Sequence, residues 1–233
     1  MGQRNKWSEF WKDPYQLRPG RKHVDAHYKF LGEKFVGYFK NLQGKKVFSF
    51  GCGEAGEISW ALKAGAKIFL YDQSPVFDKL VREKFAGNSQ VYILTEEEWF
   101  RPIDEKFDVI YLSSVVQYFS EQELGNLLKK LIGMMAPGGR IAIIDVISKN
   151  TTPLADTLDF LRVSLLLGFW WSGLKTVFNL FRSSYMKTRD MTGFTKYDRA
   201  DLEALVSPLG LKVVDQPRNL CLSARRQTFI LSR

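Results

Sequence analysis

The chain has 233 residues, with 34 Lys and Arg against 25 Asp and Glu, a formal charge of +9 and 45% apolar content. That length buries a sizeable core and fits one α/β domain better than two small ones, and the composition excludes disorder, collagen and coiled coil as the overall class. Two cysteines cannot build a disulfide scaffold or a Cys-based zinc site, and the two histidines, His23 and His27, argue against multi-histidine metal chemistry. No metal is assigned, although counting leaves a carboxylate-rich Mg²⁺ site open.

The first segment, residues 1–44, is rich in aromatic and basic side chains, and Val24–Tyr38 is expected to be helical. Lys6 stands where a myristoylation signal wants Ser or Thr, and Asn5–Trp11 carries no apolar run of signal-peptide length, so a cytoplasmic location is expected. Strand-like and helix-like segments then alternate. Val47–Phe50, Lys67–Tyr71, Val91–Leu94, Phe107–Leu112 and Ile141–Ile147 read as five strands. Between them lie helical patterns at Ile58–Ala64, at Pro75–Phe85 with Pro at the helix start, and at Leu124–Met135, ended by Ala136-Pro137-Gly138-Gly139. Residues 151–190 form an apolar insertion, and 198–233 hold a helix and two closing strands near Leu211–Val214 and Thr228–Leu231. Continuous apolar strands separated by helices indicate a parallel sheet covered on both faces, hence a doubly wound α/β domain.

The strongest local signal is the run Phe50-Gly51-Cys52-Gly53-Glu54-Ala55-Gly56 between the first strand and its helix. Glycine permits a tight turn and a close ligand, and a helix start offers free N–H donors. Asp72 follows the second strand, where a carboxylate can accept hydrogen bonds from a ribose diol. The glycine spacing alone also satisfies the dinucleotide fingerprint, but no Tyr-x-x-x-Lys pair suited to hydride chemistry is visible.

Gly51-Cys52-Gly53, Asp72, Phe107-Asp108-Val109-Ile110 and Ala136-Pro137-Gly138-Gly139-Arg140, in this order and spacing, make residues 45–147 resemble the class I S-adenosylmethionine-dependent methyltransferases. Weaker likeness extends over 198–231. The resemblance implies a mostly parallel seven-stranded sheet with helices on both faces and one antiparallel strand near its edge. It implies S-adenosylmethionine as cofactor, with Gly51, Cys52 and Gly53 along the methionine part, Asp72 on the ribose hydroxyls and Gln73 beside the adenine. Glu96 and Glu97 align with an adenine-side acidic position, and Ser113 and Ser114 with strand-end residues near the sulfonium. One position departs from the pattern: Ser49 stands where many members carry an acid that helps hold the cofactor amino group.

Methyl transfer from a sulfonium is an in-line displacement, so the protein must mainly align the nucleophile and exclude water. A hydroxyl nucleophile also needs a base. His23 and His27 share one helix face and are the only side chains whose ordinary pKa lies near neutrality, which makes them candidate bases or substrate ligands, against a packing role. Asp145 interrupts the aliphatic fifth strand, where a carboxylate is costly unless paired or facing a site. Gln117 is a candidate for orienting cofactor or substrate, and Tyr15 for covering the cofactor or simply packing the first segment onto the core.

Within the insertion, residues 163–181 are apolar enough for a bilayer, but Lys175, Asn179 and two glycines argue against a simple crossing. Trp170 and Trp171 beside Arg182, Lys187 and Arg189 suit a membrane interface, and a helical lid over the substrate is the alternative. The leading expectation is O-methylation of a small molecule or glycoconjugate, lipid-linked or anionic. An RNA methyltransferase and an inactive cofactor-binding partner subunit are the competing readings. Nucleic acid is not the expected partner, since no RNA-binding module or Asn-Pro-Pro-Tyr-like tetrapeptide is visible, and the sequence carries no signal for oligomeric state.

Overall fold

The computed structural model describes residues 21–182, 194–217 and 220–233, so Tyr15, Lys187 and Arg189 lie outside the described residues. Helix α1 (Arg21–Phe39) precedes β1 (Lys46–Phe50), α2 (Ile58–Lys63), β2 (Lys67–Tyr71) and α3 (Pro75–Lys84). The chain continues through β3 (Val91–Ile93), α4 (Glu96–Phe100), β4 (Phe107–Ser113), α5 (Glu121–Gly133) and β5 (Met135–Ile147). A helical hairpin follows, α6 (Pro153–Leu166) and α7 (Trp170–Arg182), then α8 (Arg199–Val206), β6 (Lys212–Asp215) and β7 (Arg226–Ser232).

The strands form one sheet in the order β3-β2-β1-β4-β5-β7-β6. The first five pair in parallel, and β7 runs antiparallel to both β5 and β6. This is the doubly wound, Rossmann-like arrangement expected from the sequence, with the reversal supplied by the closing pair. The central strands are largely apolar because both faces are covered. In β1, Val47 packs with Leu31, Phe35, Ile58 and Val81 from α1, α2 and α3, whereas its neighbour Phe48 packs with Trp99, Leu124 and Leu128 from α4 and α5. Successive strand residues point to opposite faces, so one short run supplies two cores. From β1 the chain steps outward to β2 and β3, then returns to β4 beside β1. That reversal opens a crevice at the carboxyl ends of β1 and β4, where ligands bind in sheets of this kind.

Two boundaries depart from the apolar pattern for local reasons. Helix α5 starts at Glu121 because Ser120 and Glu123 form a capping box: the Glu123 amide donates to Ser120 Oγ at 3.3 Å and the Ser120 amide to Glu123 Oε2 at 2.9 Å. The Ala136–Gly139 stretch does not separate helix from strand but lies within β5 as an irregularity. Phe107 pairs with Met135 and Val109 with Arg140, and Gly138 takes a φ of +72° to absorb the extra residues.

Candidate active site

The loop after β1 uses its glycines in three different ways. Gly51 has a φ of +68°, and a Cβ there would lie 2.7 Å from Val115 Cγ2, so its absence lets the segment after β4 close against the loop. Gly53 has a φ of +53° and no atom within 4 Å of where its Cβ would be; its open side borders a cavity. Gly56 serves packing instead, because a Cβ would stand 2.0 Å from Cδ2 of the Tyr28 ring on α1. The third glycine of the motif thus seats α1 on the loop.

Asp72, just beyond β2, ties the loop down. Its Oδ2 accepts from the Gly53 amide at 2.7 Å and its Oδ1 from the Ser74 amide at 2.8 Å. A carboxylate oxygen has two lone pairs, so each keeps an acceptor site for a ligand. Burial raises this carboxyl to about 6, against the opposing pull of the two amides.

The cavity has a volume of about 620 Å³ and is lined from two directions. On the strand side lie Ser49, Gly51, Cys52, Gly53, Asp72, Gln73, Ser113, Ser114 and Asp145. On the hairpin side lie Asp156, Asp159, Phe160, Val163, Thr176 and Val177, joined by His23, His27 and Tyr28 of α1, by Ser223 just before β7 and by Arg226 at its start. Most sequence candidates therefore share one cavity. Cys52 is buried, which pushes its thiol well above the ordinary range and leaves it an unreactive wall.

Asp145 reaches the cavity by leaving the regular ladder. The β5–β7 register shifts between Ile143 and Val146, and Asp145 takes a φ of +64° in that irregularity. Ser114 Oγ donates to its Oδ2 at 2.5 Å, and Arg226 Nε stands 3.8 Å from its Oδ1. Ser114 itself has a φ of +57° and Ala55 of +46°. Each non-glycine residue in this region costs roughly 1–3 kcal/mol and persists only where the surroundings impose it. Three of them border or flank one crevice.

Arg226 also donates to Asp156 Oδ2 at 2.7 Å, and Ser223 Oγ donates to the buried Asp159 at 2.5 Å. Among the described residues that line it, the hairpin end thus carries Asp145, Asp156 and Asp159 and one guanidinium. The two histidines differ. His23 sits 4.5 Å from Phe160 and 5.6 Å from Phe169, centroid to centroid, and burial lowers it to about 4, with His27 adding a smaller push. His27 lies on the glycine-loop side, its ring 5.7 Å from that of Tyr28.

Three sequence candidates do not border the cavity. Gln117 is buried behind it, where its Nε2 donates to the Ser114 carbonyl at 2.7 Å and holds that strained turn. Glu96 and Glu97 fall on α4, which the apolar pattern did not reveal; both are exposed, and Glu97 pairs with Arg101 on the next turn. The sequence reading missed Glu57, Asp156, Asp159, Ser223 and Arg226. Glu57 carried a usable signal as an acid at the start of the helix after the glycine loop; the others are isolated polar residues joined only by the fold.

Residues 48–141 match a family model described as "Methyltransferase domain". No curated protein matches the sequence. Among solved structures, the mitomycin 7-O-methyltransferase MmcR is 19% identical with a TM-score of 0.57, covering 91% of this chain and 52% of its own. Magnesium protoporphyrin IX methyltransferase from Synechocystis PCC 6803, with bound SAH, is 16% identical with a TM-score of 0.57, covering 93% of this chain and 84% of its own. An O-methyltransferase from neocarzinostatin biosynthesis, in complex with SAM and 2-hydroxy-5-methyl naphthoic acid, is 15% identical with a TM-score of 0.59, covering 90% of this chain and 54% of its own. The chain thus spans about half the length of two of these proteins. The sheet, its switch point and the glycine loop make up a Rossmann-like fold shared with these methyltransferases. Over residues 48–141 the chain is similar to that methyltransferase family, and over most of its length it shares the fold of these enzymes.

Proposed function

We propose that the chain transfers a methyl group from S-adenosylmethionine to an oxygen of a small molecule or glycoconjugate seated beneath the α6–α7 hairpin. The observation that carries this reading is a single cavity joining the glycine loop and Asp72 to the inner face of that hairpin. The residues fit the cofactor: Gly53 presents an open side, Asp72 keeps acceptor capacity for a diol, and a second buried carboxylate, Glu57, has an unpartnered oxygen. In this reading Gly51, Cys52 and Gly53 line the methionine part, Asp72 takes the ribose hydroxyls, and Gln73 lies beside the adenine. Ser113 and Ser114 border the place where the two ligands meet.

When bound, the cofactor supplies an electrophilic methyl group on a cationic sulfur. The chain then has to bind the acceptor, orient it and exclude water. Phe160, Val163 and Val177 supply an apolar roof. His27 is the base that accepts the hydroxyl proton, while His23, held neutral by its phenylalanine neighbours, is too weakly basic at neutral pH and positions the acceptor instead. The surplus of carboxylates at the hairpin end favours a neutral acceptor over an anionic one. The small aromatic acceptor bound by the neocarzinostatin enzyme supports an acceptor of that size. Incubating the protein with a cell extract and cofactor carrying an isotopically labelled methyl group tests the reading. Label in a small molecule or glycolipid by mass spectrometry is expected; label only in RNA, or none, overturns it.

A second reading concerns where the enzyme works. No helix among the described residues is long and apolar enough to cross a membrane. The outer face of the hairpin nevertheless leaves Leu154, Leu158, Leu165, Leu166 and Trp171 exposed, with Trp171 81% accessible. Lys22 on α1, Arg162 on α6 and Lys175 on α7 are exposed as well. Exposed apolar side chains accompanied by cations suit the cytoplasmic face of an anionic membrane, which would present a lipid-linked acceptor to the cavity. Sedimentation with anionic liposomes that is lost on replacing Leu165 and Trp171 by Ser supports this; unchanged sedimentation leaves the hairpin as a lid alone.

A further inference from the structure

Glu57 is a buried carboxylate with no part in the proton transfer just described. It stands immediately before α2, is 6% exposed, and its side chain borders the cavity beside His27, Tyr28, Ser49 and Cys52. Its Oε1 accepts from the Tyr111 hydroxyl at 2.8 Å, while its Oε2, also buried, has no hydrogen-bond partner among the described residues. Two basic side chains come near. The Lys84 ammonium is committed elsewhere, donating to the carbonyls of Glu54 and Ala55 at 2.9 Å each, and His27 makes no hydrogen bond to Glu57.

A half-satisfied carboxylate inside a protein is costly, because an ionised group loses its hydration and gains only one donor in return. Such a group is retained where something arrives to complete it. Burial raises the Glu57 carboxyl, and a cation bound beside it would lower it again. The neighbouring position on β1 is the buried Ser49, which lies directly opposite Tyr111 in the β1–β4 register. A hydroxyl at 49 carries no charge. Among the described carboxylates that line the cavity, Glu57 is the one with a buried oxygen lacking any hydrogen-bond partner.

We propose that Glu57 receives the α-ammonium of the cofactor's amino-acid tail, taking at the helix start the charge role that Ser49 cannot fill. The assignment rests on S-adenosylmethionine binding in this cavity. Tyr111 holds one carboxylate oxygen and leaves the second without a donor. Because a cation paired with a carboxylate in a water-poor site is a strong contact, the tail becomes a main source of affinity rather than an appendage to the nucleoside.

Two ligands that share the nucleoside and the sulfur separate this contact from the rest of the site. S-adenosylhomocysteine carries the ammonium; 5′-methylthioadenosine lacks the amino-acid part. Measured by calorimetry, Glu57→Gln is expected to weaken S-adenosylhomocysteine at least tenfold and to leave 5′-methylthioadenosine within twofold. The amide oxygen can still accept from Tyr111, so the thermal midpoint should hold. Glu57→Asp keeps the charge with a shorter reach and should fall between the two. Asp72→Asn, in contrast, should weaken both ligands. Equal loss of both ligands in Glu57→Gln, or unchanged affinity for S-adenosylhomocysteine, overturns the assignment. A wild-type protein that binds neither ligand overturns the cofactor reading itself, and this contact with it.

Discussion

The two ends of the cavity are built by different means. The strand end is made of backbone: glycines at positive φ, amides that converge on Asp72, and a helix start packed under Tyr28. The hairpin end is made of side chains: Arg226 bridging Asp145 and Asp156, Ser223 on Asp159, and a roof of apolar residues. Backbone geometry fixes a shape that suits one ligand and resists change. Side-chain pairs can be exchanged singly without disturbing the sheet. A constant cofactor and a variable acceptor call for that division, and a hairpin inserted between β5 and α8 supplies the variable part without touching the loop.

Four experiments bear on this contrast. His27→Ala should lower turnover by about 10²–10⁴-fold, the usual yield of a positioned base, while S-adenosylhomocysteine affinity stays close to wild type by calorimetry. An equal fall in both would make His27 part of the cofactor end rather than of the chemistry. Gly56→Ala should destabilise the protein by about 3 kcal/mol in urea unfolding, since the new methyl meets the Tyr28 ring, and Tyr28→Ala added to it should recover part of the loss. A neutral result would show that α1 can shift on the loop and that the strand end is softer than its backbone suggests.

Arg226→Ala should cost about 2 kcal/mol of stability by leaving Asp145 and Asp156 without their cation, and Asp156→Asn in the same chain should restore part of it. The strand end should not notice: S-adenosylhomocysteine binding is expected to persist. The smallest effect is a pH dependence. The ligand diol needs Asp72 as an acceptor, so the ionised form binds and protonation removes one acceptor. With the free carboxyl at about 6, affinity should fall as pH drops from 7 to 5, by up to about tenfold per unit below 6, and be level above 7. Asp72→Ala should abolish Asp72's contribution to that slope and weaken binding by about 1–3 kcal/mol at pH 7. A slope unchanged in the variant would assign the titration to another group.

The strand end was legible because local rules govern it. Apolar runs, a Pro at the start of α3 and glycines between β1 and α2 each act over a few residues, and together they determine a doubly wound sheet with its crevice. Asp72 could be picked out because its distance along the chain from the glycine loop reflects one strand–helix–strand unit. The hairpin end was not legible in the same way. Asp156, Asp159, Ser223 and Arg226 meet only because β7 runs back along β5, and no local pattern marks such a pairing. Glu96 and Glu97 show the converse error: a position inferred by alignment landed on a short exposed helix, since β3 ends at Ile93 and the chain turns away at the Thr95 cap. Asp145 was noticed for the right reason, its cost within an aliphatic strand, but the irregularity that relieves that cost lies in the pairing of β5 with β7.

The reversal of β7 has a practical consequence. Because the strand enters from the crevice side, residues Ser223 and Arg226 near the end of the chain sit beside carboxylates of β5 and the hairpin. A chimera that swaps the hairpin alone between two proteins of this fold would therefore inherit mismatched charges, and changes at the start of β7 would disturb the hairpin end well away from the glycine motif. Any graft meant to move acceptor preference has to carry both pieces together.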